Sequence, residues 1–149
     1  MFCAMLRSLY RFADVLREQS RQHLLNPDQA LGAHGEDLAH RFLQRSGIVV
    51  VARNFRMASG AGEVDLIGWE RDTLVFIEVK SRQTDDFGAP DRAIGQEKQS
   101  SLVRAAREYA RHAAVPWDKV RFDVVTVVFS KPPAIRHFRD AFSGKMKIR

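Results

Sequence analysis

Two short apolar segments with charged residues at alternating positions constrain the fold more than any other feature of this chain. Residues 62–67 read GEVDLI and residues 76–80 read FIEVK. The polar segment at 70–73 lies between them and has the length of a hairpin loop. The sequence therefore predicts two neighbouring antiparallel strands.

The register of this hairpin brings acids of the two strands together. Because strand side chains alternate between faces, Glu63 shares a face with Asp65, and Glu78 shares a face with Lys80. A two-residue turn and a four-residue loop give the same register, with Asp65 opposite Glu78 and Glu63 opposite Lys80. Opposed side chains lie roughly 5 Å apart at Cβ, where two carboxylates repel unless a cation separates them. A hard divalent ion such as Mg²⁺ fits these oxygen ligands, and Lys80 beside it would orient water or stabilise an oxyanion.

A simpler interpretation is a solvated polar face of a two-sided sheet, because a D…ExK pattern is frequent by chance. Three features favour function, and the third is an acid on an upstream helix. Leu74 and Phe76 share the face of Glu78, so the acids interrupt a hydrophobic run. The opposite face of the hairpin is predicted to be apolar and to consist of Val64, Leu66, Val75, Ile77 and Val79.

An upstream helix supplies a third acid. Residues 33–46 carry apolar side chains at the spacing of one buried helical stripe, and Gly47 is a helix stop. Glu36 falls on the shoulder of the stripe, whereas Asp37 is expected on the solvent side. Two interpretations of Glu36 stay open. It looks into a site between helix and sheet, or it is a first-turn acid that interacts with the helix dipole.

The order of these motifs resembles a known family. The motifs are GAHGE at 32–36, NFR at 54–56, GEVD at 62–65, FIEVKSR at 76–82, Lys98 in a helix and RFDVV at 121–125. Over residues 31–140 this pattern resembles the YraN family of small bacterial proteins. That family is similar to the PD-(D/E)xK nuclease superfamily, especially archaeal Holliday-junction resolvases. The proline of the superfamily name is replaced here by Val64.

The resemblance implies a fold and a site. The fold is α/β and restriction-endonuclease-like, with three layers and a central mixed sheet flanked by helices. The catalytic residues it implies are Glu36, Asp65, Glu78 and Lys80. Mg²⁺ or Mn²⁺ would be held by Asp65 and Glu78, with the carbonyl of Val79 and the carboxylate of Glu36 as further ligands.

Basic residues around these motifs are the candidate contacts for nucleic acid. The chain carries a net charge of +6 with a pI near 10, which favours polyanions but also suits a solvated basic surface. Lys98, Arg82 and Arg56 are the predicted contacts, although an ordinary helix charge accounts for Lys98 equally well. Glu63 is expected to support the site by charge pairing with Lys80.

Three regions are expected along the chain: an N-terminal helical extension at 1–30, the nuclease-like domain at 31–140 and a basic tail at 141–149. The extension packs on the core, contacts a partner or an anionic surface, or reflects an upstream start codon. Asn26-Pro27-Asp28 is expected to break the chain before the core. A loop at 83–91 borders the proposed site.

Composition excludes several other classes. The lone Cys3 excludes a disulfide framework and a Cys-based zinc site, and it fits a reducing cytoplasm. No apolar run has the length of a membrane span, so no membrane partner is expected.

Asp123, inside the strand predicted at 121–129, is expected to be structural. A short edge strand is expected at 135–138.

The expected function is metal-dependent hydrolysis of phosphodiester bonds in DNA, with structured or branched DNA as a candidate substrate. The alternative is a non-catalytic nucleic-acid-binding protein that keeps the nuclease fold. A third interpretation is a protein-interaction module without affinity for nucleic acid. A homodimer follows if the resemblance to junction resolvases extends to assembly.

Overall fold

A computed structural model of the chain describes residues 26–60, 62–83 and 94–145. The predicted N-terminal helix, most of the loop at 83–91 and the end of the basic tail lie outside these residues. The elements in chain order are α1 (Pro27–Arg45), β1 (Val49–Arg56), β2 (Glu63–Glu70), β3 (Thr73–Arg82), α2 (Gln96–His112), a 3₁₀ turn (Trp117–Lys119), β4 (Val120–Val128) and β5 (Ala134–Phe138).

The five strands form one mixed sheet in the order β1-β2-β3-β4-β5. β3 and β4 are parallel, and the other neighbours are antiparallel. Parallel neighbours need a long crossover, and α2 lies within the one between β3 and β4. α1 covers one face of the sheet and α2 covers the other. The predicted three-layer α/β fold with a mixed central sheet is confirmed, as is the edge strand that becomes β5.

The hairpin of β2 and β3 has the predicted register. Glu70 pairs with Thr73 across the two-residue turn, and the pairing continues to Leu66 opposite Ile77. Arg71 in the turn adopts a left-handed backbone with φ 56°. Asp65 and Glu78 come directly after this last pair, each on its own strand.

Each face of the sheet has its own hydrophobic core. The core under α1 contains Ala39, Leu43, Ile48, Leu66, Val75, Ile77, Val125 and Val127. The core under α2 includes Val64, Ile67, Leu74, Phe76, Leu102, Phe122 and Val124. Alternation along the strands thus sorts most apolar side chains between two helices.

Val64 departs from this alternation, so the predicted apolar face is wrong at this residue. It was expected beside Leu66, yet the two side chains belong to different cores. The change of side coincides with a left-handed backbone at Asn54 (φ 49°) on the paired strand. β1 continues past this residue to Arg56.

The start of α1 was placed too late by the sequence pattern. The side chain of Asn26 accepts a hydrogen bond from the N–H of Gln29, and Pro27 occupies the first turn. These residues form an N-cap with a capping box, so the expected break is the beginning of the helix. The domain boundary expected after residue 30 therefore lies inside α1. The stop at Gly47 (φ 93°) is confirmed.

The helix expected around Lys98 is α2. It begins at Gln96 after Gly95 as its N-cap. None of the helices in the described part of the chain combines the length and the apolar character needed to cross a bilayer.

Candidate active site

Two carboxylates meet where β2 and β3 carry the predicted motif. Glu78 is 4% exposed, and Oδ2 of Asp65 accepts a hydrogen bond of 2.8 Å from the N–H of Val79. Burial, followed by the negative charge of Glu78, raises the pKa of Asp65 to about 7. The neighbouring carboxylate of Glu78 therefore adds to the effect of burial and opposes ionisation of Asp65.

Two lysines reach Glu78 from different elements. Nζ of Lys80, on the same strand, lies 3.2 Å from Oε1, and Nζ of Lys98, in the first turn of α2, lies 3.6 Å from Oε2. Each lysine side chain is about one-third exposed, at 34% and 37%. Within the described residues Oε2 has no hydrogen-bond partner. The site thus combines a buried acid pair with cations that face solvent.

Gly62 sets the distance between β2 and α2. A Cβ atom at this position would lie 2.9 Å from the backbone oxygen of Ser101 and 3.0 Å from its hydroxyl. Only glycine therefore allows the start of β2 to approach the helix so closely. Ser101 is one turn beyond Lys98, so this contact helps place Lys98 near the acid pair.

Gly35 sets the distance between α1 and β3 on the opposite face of the sheet. A Cβ atom there would lie 1.8 Å from Oγ of Ser81, the residue directly after Lys80. The helix therefore contacts β3 beside the motif, and Glu36 is the next residue along the helix. Oε2 of Glu36 lies 3.7 Å from Nη2 of Arg53 in β1.

Asp37 is buried, which corrects the expectation that it faces solvent. Its side chain is 1% exposed, and Oδ1 lies 2.7 Å from Nη2 of Arg53. Arg53 faces α1 from β1 and gives the acid a partner, so burial of the charge is tolerated. The helical pattern could not show this, because the cation lies on another element.

Metal ligation by three side chains is not assembled in this structure. Across residues 26–60, 62–83 and 94–145, no three His, Cys, Asp or Glu side chains are grouped closely enough to hold a metal ion. The structure brings together Asp65, Glu78, Lys80 and Lys98. Glu36 and the Val79 carbonyl stay predictions as further ligands.

Glu63 forms its ion pair on the other side of β2 from Lys80. Its carboxylate lies 3.3 Å from Nε of Arg56 in β1. Arg56 is 74% exposed, so it is accessible to a phosphate while it pairs with Glu63. The predicted effect of Glu63 on Lys80 is not visible in this pairing and stays a prediction.

A second charged cluster, which sequence reasoning missed, lies on the α1 face at β4 and β5. Asp123 is fully buried and accepts hydrogen bonds from Arg121 (2.8 Å) and the backbone N–H of Asp140 (3.0 Å). His137 Nε2 lies 2.7 Å from its Oδ2. Arg121 also bonds Glu70 at 2.6 Å. We call Glu70, Arg121, Asp123, His137 and Arg139 the buried charge network.

The pKa values in the buried charge network shift downwards for the acids. Burial raises the pKa of Asp123, but the hydrogen bonds from His137, Arg121 and Asp140 outweigh it, so the pKa is lowered. Hydrogen bonds from Arg139 and Arg121 hold the pKa of Glu70 well below its usual value. Asp123 therefore has the structural role that was expected. The signal in the sequence is an Arg and an Asp two residues apart in an apolar strand.

Comparison with known proteins places the chain in a family. The model of the uncharacterised protein family UPF0102 matches residues 35–127, more than half of the chain. The chain belongs to the UPF0102 family. This membership confirms the resemblance to the YraN family drawn from the sequence.

Relatives in the family match over most of their length. A UPF0102 protein of Solibacter usitatus (strain Ellin6076) is 47% identical over 138 residues, covering 93% of this chain and 100% of the relative. A UPF0102 protein of Rhodococcus opacus (strain B4) is 47% identical over 76% of this chain and 96% of its own length. One from Desulfosudis oleivorans is 37% identical over 83% of this chain and 98% of its own length.

Proposed function

We propose that this UPF0102 protein is a metal-dependent nuclease that hydrolyses phosphodiester bonds in DNA. One observation carries the proposal: the half-buried Asp65 and the buried Glu78 carboxylates lie together with Lys80 beside them. The pattern fits three positions of the PD-(D/E)xK resemblance, Asp65, Glu78 and Lys80, although fold and motif alone do not fix a reaction.

The donor set fits Mg²⁺ or Mn²⁺. Mg²⁺ is usually held by one or two carboxylates and completes its shell with water and substrate phosphates. Asp65 and Glu78 supply such a pair, and a cation between them would offset both the burial and the repulsion by Glu78 that raise the pKa of Asp65. In this proposal Glu36 and the carbonyl of Val79 are further ligands.

The protein's own groups then position the reactants. A bound divalent cation supplies an activated water and neutralises charge on the phosphate. Lys80, at 3.2 Å from Glu78, is placed to hold the attacking water or a phosphoryl oxygen next to the acid pair. Glu78 keeps the ammonium of Lys80 at that place.

Basic residues near the acid pair favour a polyanionic substrate. Lys98 lies beside Glu78, and Arg82 shares the alternating face of Lys80 on β3. Contacts of this kind read phosphate and shape rather than base sequence. Within this proposal, the reducing cytoplasm that suits Cys3 is the compartment, and a homodimer follows from the likeness to junction resolvases.

A non-catalytic DNA-binding protein is the second candidate, and the lysine contacts favour it. Lys80 and Lys98 together neutralise Glu78 without any metal ion. A chain that only binds DNA would keep this closed cluster in the complex. The two candidates differ in whether cleavage depends on metal and on Asp65.

Cleavage of labelled DNA tests the proposal. Linear, flapped, single-stranded and four-way-junction substrates would be incubated with Mg²⁺, Mn²⁺ or EDTA. Asp65→Asn and Lys80→Ala should each lower the cleavage rate by at least about 10²-fold. Asp72→Asn and Lys119→Ala are matched controls, because this exposed pair lies at the hairpin turn, away from the acids.

The outcomes separate the candidates. Metal-dependent cleavage that survives in the controls and is lost in both site variants supports a nuclease. Salt-sensitive DNA binding without cleavage by any variant supports the second candidate. Cleavage that persists in Asp65→Asn or in EDTA would contradict the proposed site.

A further inference from the structure

A row of polar side chains crosses three strands next to the candidate active site. The parallel register pairs Lys80 on β3 with Thr126 on β4, and the antiparallel register pairs Thr126 with Arg136 on β5. Side chains of paired residues share a face of the sheet. Because Glu78 lies two residues before Lys80, the row lies on the face that carries the buried acid.

Thr126, in the centre of the row, has an unusual environment. Its side chain is 4% exposed, and within the described residues its Oγ1 is buried without a hydrogen-bond partner. Buried hydroxyl groups nearly always have a partner, so an unpartnered one calls for an explanation. Lys80 on one side and the exposed Arg136 on the other supply positive charge.

The length of the row decides what it can bind. From β3 to β5 it spans two strand spacings, roughly 10 Å, which is wider than one phosphate group. The cations at its two ends therefore suit different phosphates of one chain. A small anion would occupy only one end.

We propose that this row is a phosphate-binding track along which a DNA strand continues from the scissile phosphate across β4 to β5. Lys80 contacts the phosphate in the site, and Arg136 binds a neighbouring phosphate of the same strand. The hydroxyl of Thr126 becomes reachable when the flanking side chains turn to the DNA, and it donates a hydrogen bond to a phosphate oxygen. This inference rests on the proposed function, since the track begins at its active site.

Substitution of Arg136 tests the far end of the track. DNA binding is measured in EDTA by fluorescence anisotropy of labelled four-way-junction and single-stranded DNA at several salt concentrations. Arg136→Ala should weaken binding by about 5- to 20-fold and reduce the salt slope by about 1. Arg111→Ala is the matched control. It removes the same charge from an exposed position on α2, roughly 20 Å along the helix from Lys98.

Substitution of Thr126 tests the centre. Thr126→Val keeps the shape but removes the hydroxyl, and it should weaken DNA binding by about three- to tenfold. The urea midpoint should not fall, because the hydroxyl has no partner to lose among the described residues. Thr126→Ser should restore binding. A purely structural hydroxyl would instead lower the midpoint and leave binding unchanged.

The measurements distinguish the track from the proposed function. Specific loss of binding in Arg136→Ala and Thr126→Val supports the track even if the wild type cleaves no DNA. Cleavage by the wild type, with Arg136→Ala binding as well as Arg111→Ala, would overturn the track and leave the nuclease intact. Absence of DNA binding by the wild type would overturn both.

Discussion

The sheet buries carboxylates on both faces, and the two groups are built on opposite principles. Under α1, Asp123 is surrounded by donors, and its pKa is lowered in spite of complete burial. On the other face, Asp65 lies beside Glu78, and its pKa is raised to about 7. The contrast is between Asp123, which accepts hydrogen bonds from several donors, and Asp65, which lies beside a second carboxylate while the two lysines pair with Glu78.

The groups that surround a buried acid help to separate a structural acid from a candidate functional one. Buried charges are tolerated when donors surround them, as in the buried charge network. Asp65, whose pKa is raised by burial and by the charge of Glu78, gains nothing for folding in its ionised form, and such perturbation concentrates at functional sites. Burial alone would have ranked Asp123 above Asp65 as a candidate site.

Removal of the two charges should have very different effects on stability. Asp123→Asn breaks a buried pair with Arg121 and should lower the free energy of unfolding by about 3–5 kcal/mol. Glu78→Gln removes a repulsion with Asp65 together with the ion pairs to the partly exposed Lys80 and Lys98, so it should change the free energy of unfolding by less than about 1 kcal/mol. Urea denaturation at pH 7.5 in EDTA measures both. Equal losses in the two variants would erase the distinction between the clusters.

Divalent cations should stabilise the folded protein by binding to Asp65 and Glu78, and not through the buried charge network. At Mg²⁺ or Mn²⁺ concentrations 100 times the Kd, the free energy of unfolding should rise by about 2.7 kcal/mol. Asp65→Asn should abolish this gain, whereas Asp123→Asn should keep it in whatever folded fraction remains. Thermal unfolding with and without metal is the measurement. A gain that persists in Asp65→Asn would place the metal elsewhere.

The pH dependence of stability should have opposite signs for the two acids. The pKa of Asp65 is about 7 in the folded state and 3.8 in an unfolded chain, so the folded protein retains a proton that the unfolded chain releases. Without metal, stability should therefore rise by about 2 kcal/mol as pH falls from 7 to 5. The lowered pKa of Asp123 acts only below that window, where stability is lost as pH falls.

Asp65→Asn provides the control for this pH effect. The variant should show no rise in stability between pH 7 and pH 5, measured by urea denaturation in EDTA. A rise that survives the substitution would assign the proton to another group. Saturating Mg²⁺ should flatten the wild-type profile in the same way, because the ion holds Asp65 ionised.

The smallest effect is expected at Glu63. Its ion pair with Arg56 is exposed, so Glu63→Gln should cost less than about 1 kcal/mol of stability. The cleavage rate should stay within about threefold of the wild type, because the pair lies across β1 and β2. A tenfold loss of cleavage would instead support the predicted influence of Glu63 on Lys80.

Much of the site follows from local pattern. Alternation along two strands and a short turn were sufficient to pair Asp65 with Glu78 and to place Lys80 beside them. These residues lie close together in sequence, so strand geometry and the hairpin turn leave few possible arrangements for their side chains. The helix stop at Gly47 and the edge strand β5 were predictable for the same reason.

The errors share a cause in contacts between distant segments. Asp37 was expected in solvent because the helical pattern of α1 does not show its partner Arg53, which lies on β1. The buried charge network was missed because Glu70, Arg121 and His137 meet only in the folded sheet. Val64 changed side where the backbone at Asn54 is left-handed, which no apolar pattern shows.

The parallel pairing of β3 with β4 has a consequence for the order of folding. The β2–β3 hairpin joins Asp65 and Glu78 over a short loop, whereas Lys80 meets Thr126 only after a crossover of dozens of residues. Closing the longer loop costs more chain entropy and slows contact formation. In the proposed enzyme, Asp65 and Glu78 therefore come together early in folding, whereas the DNA-contacting surface forms only after β4 and β5 have joined the sheet.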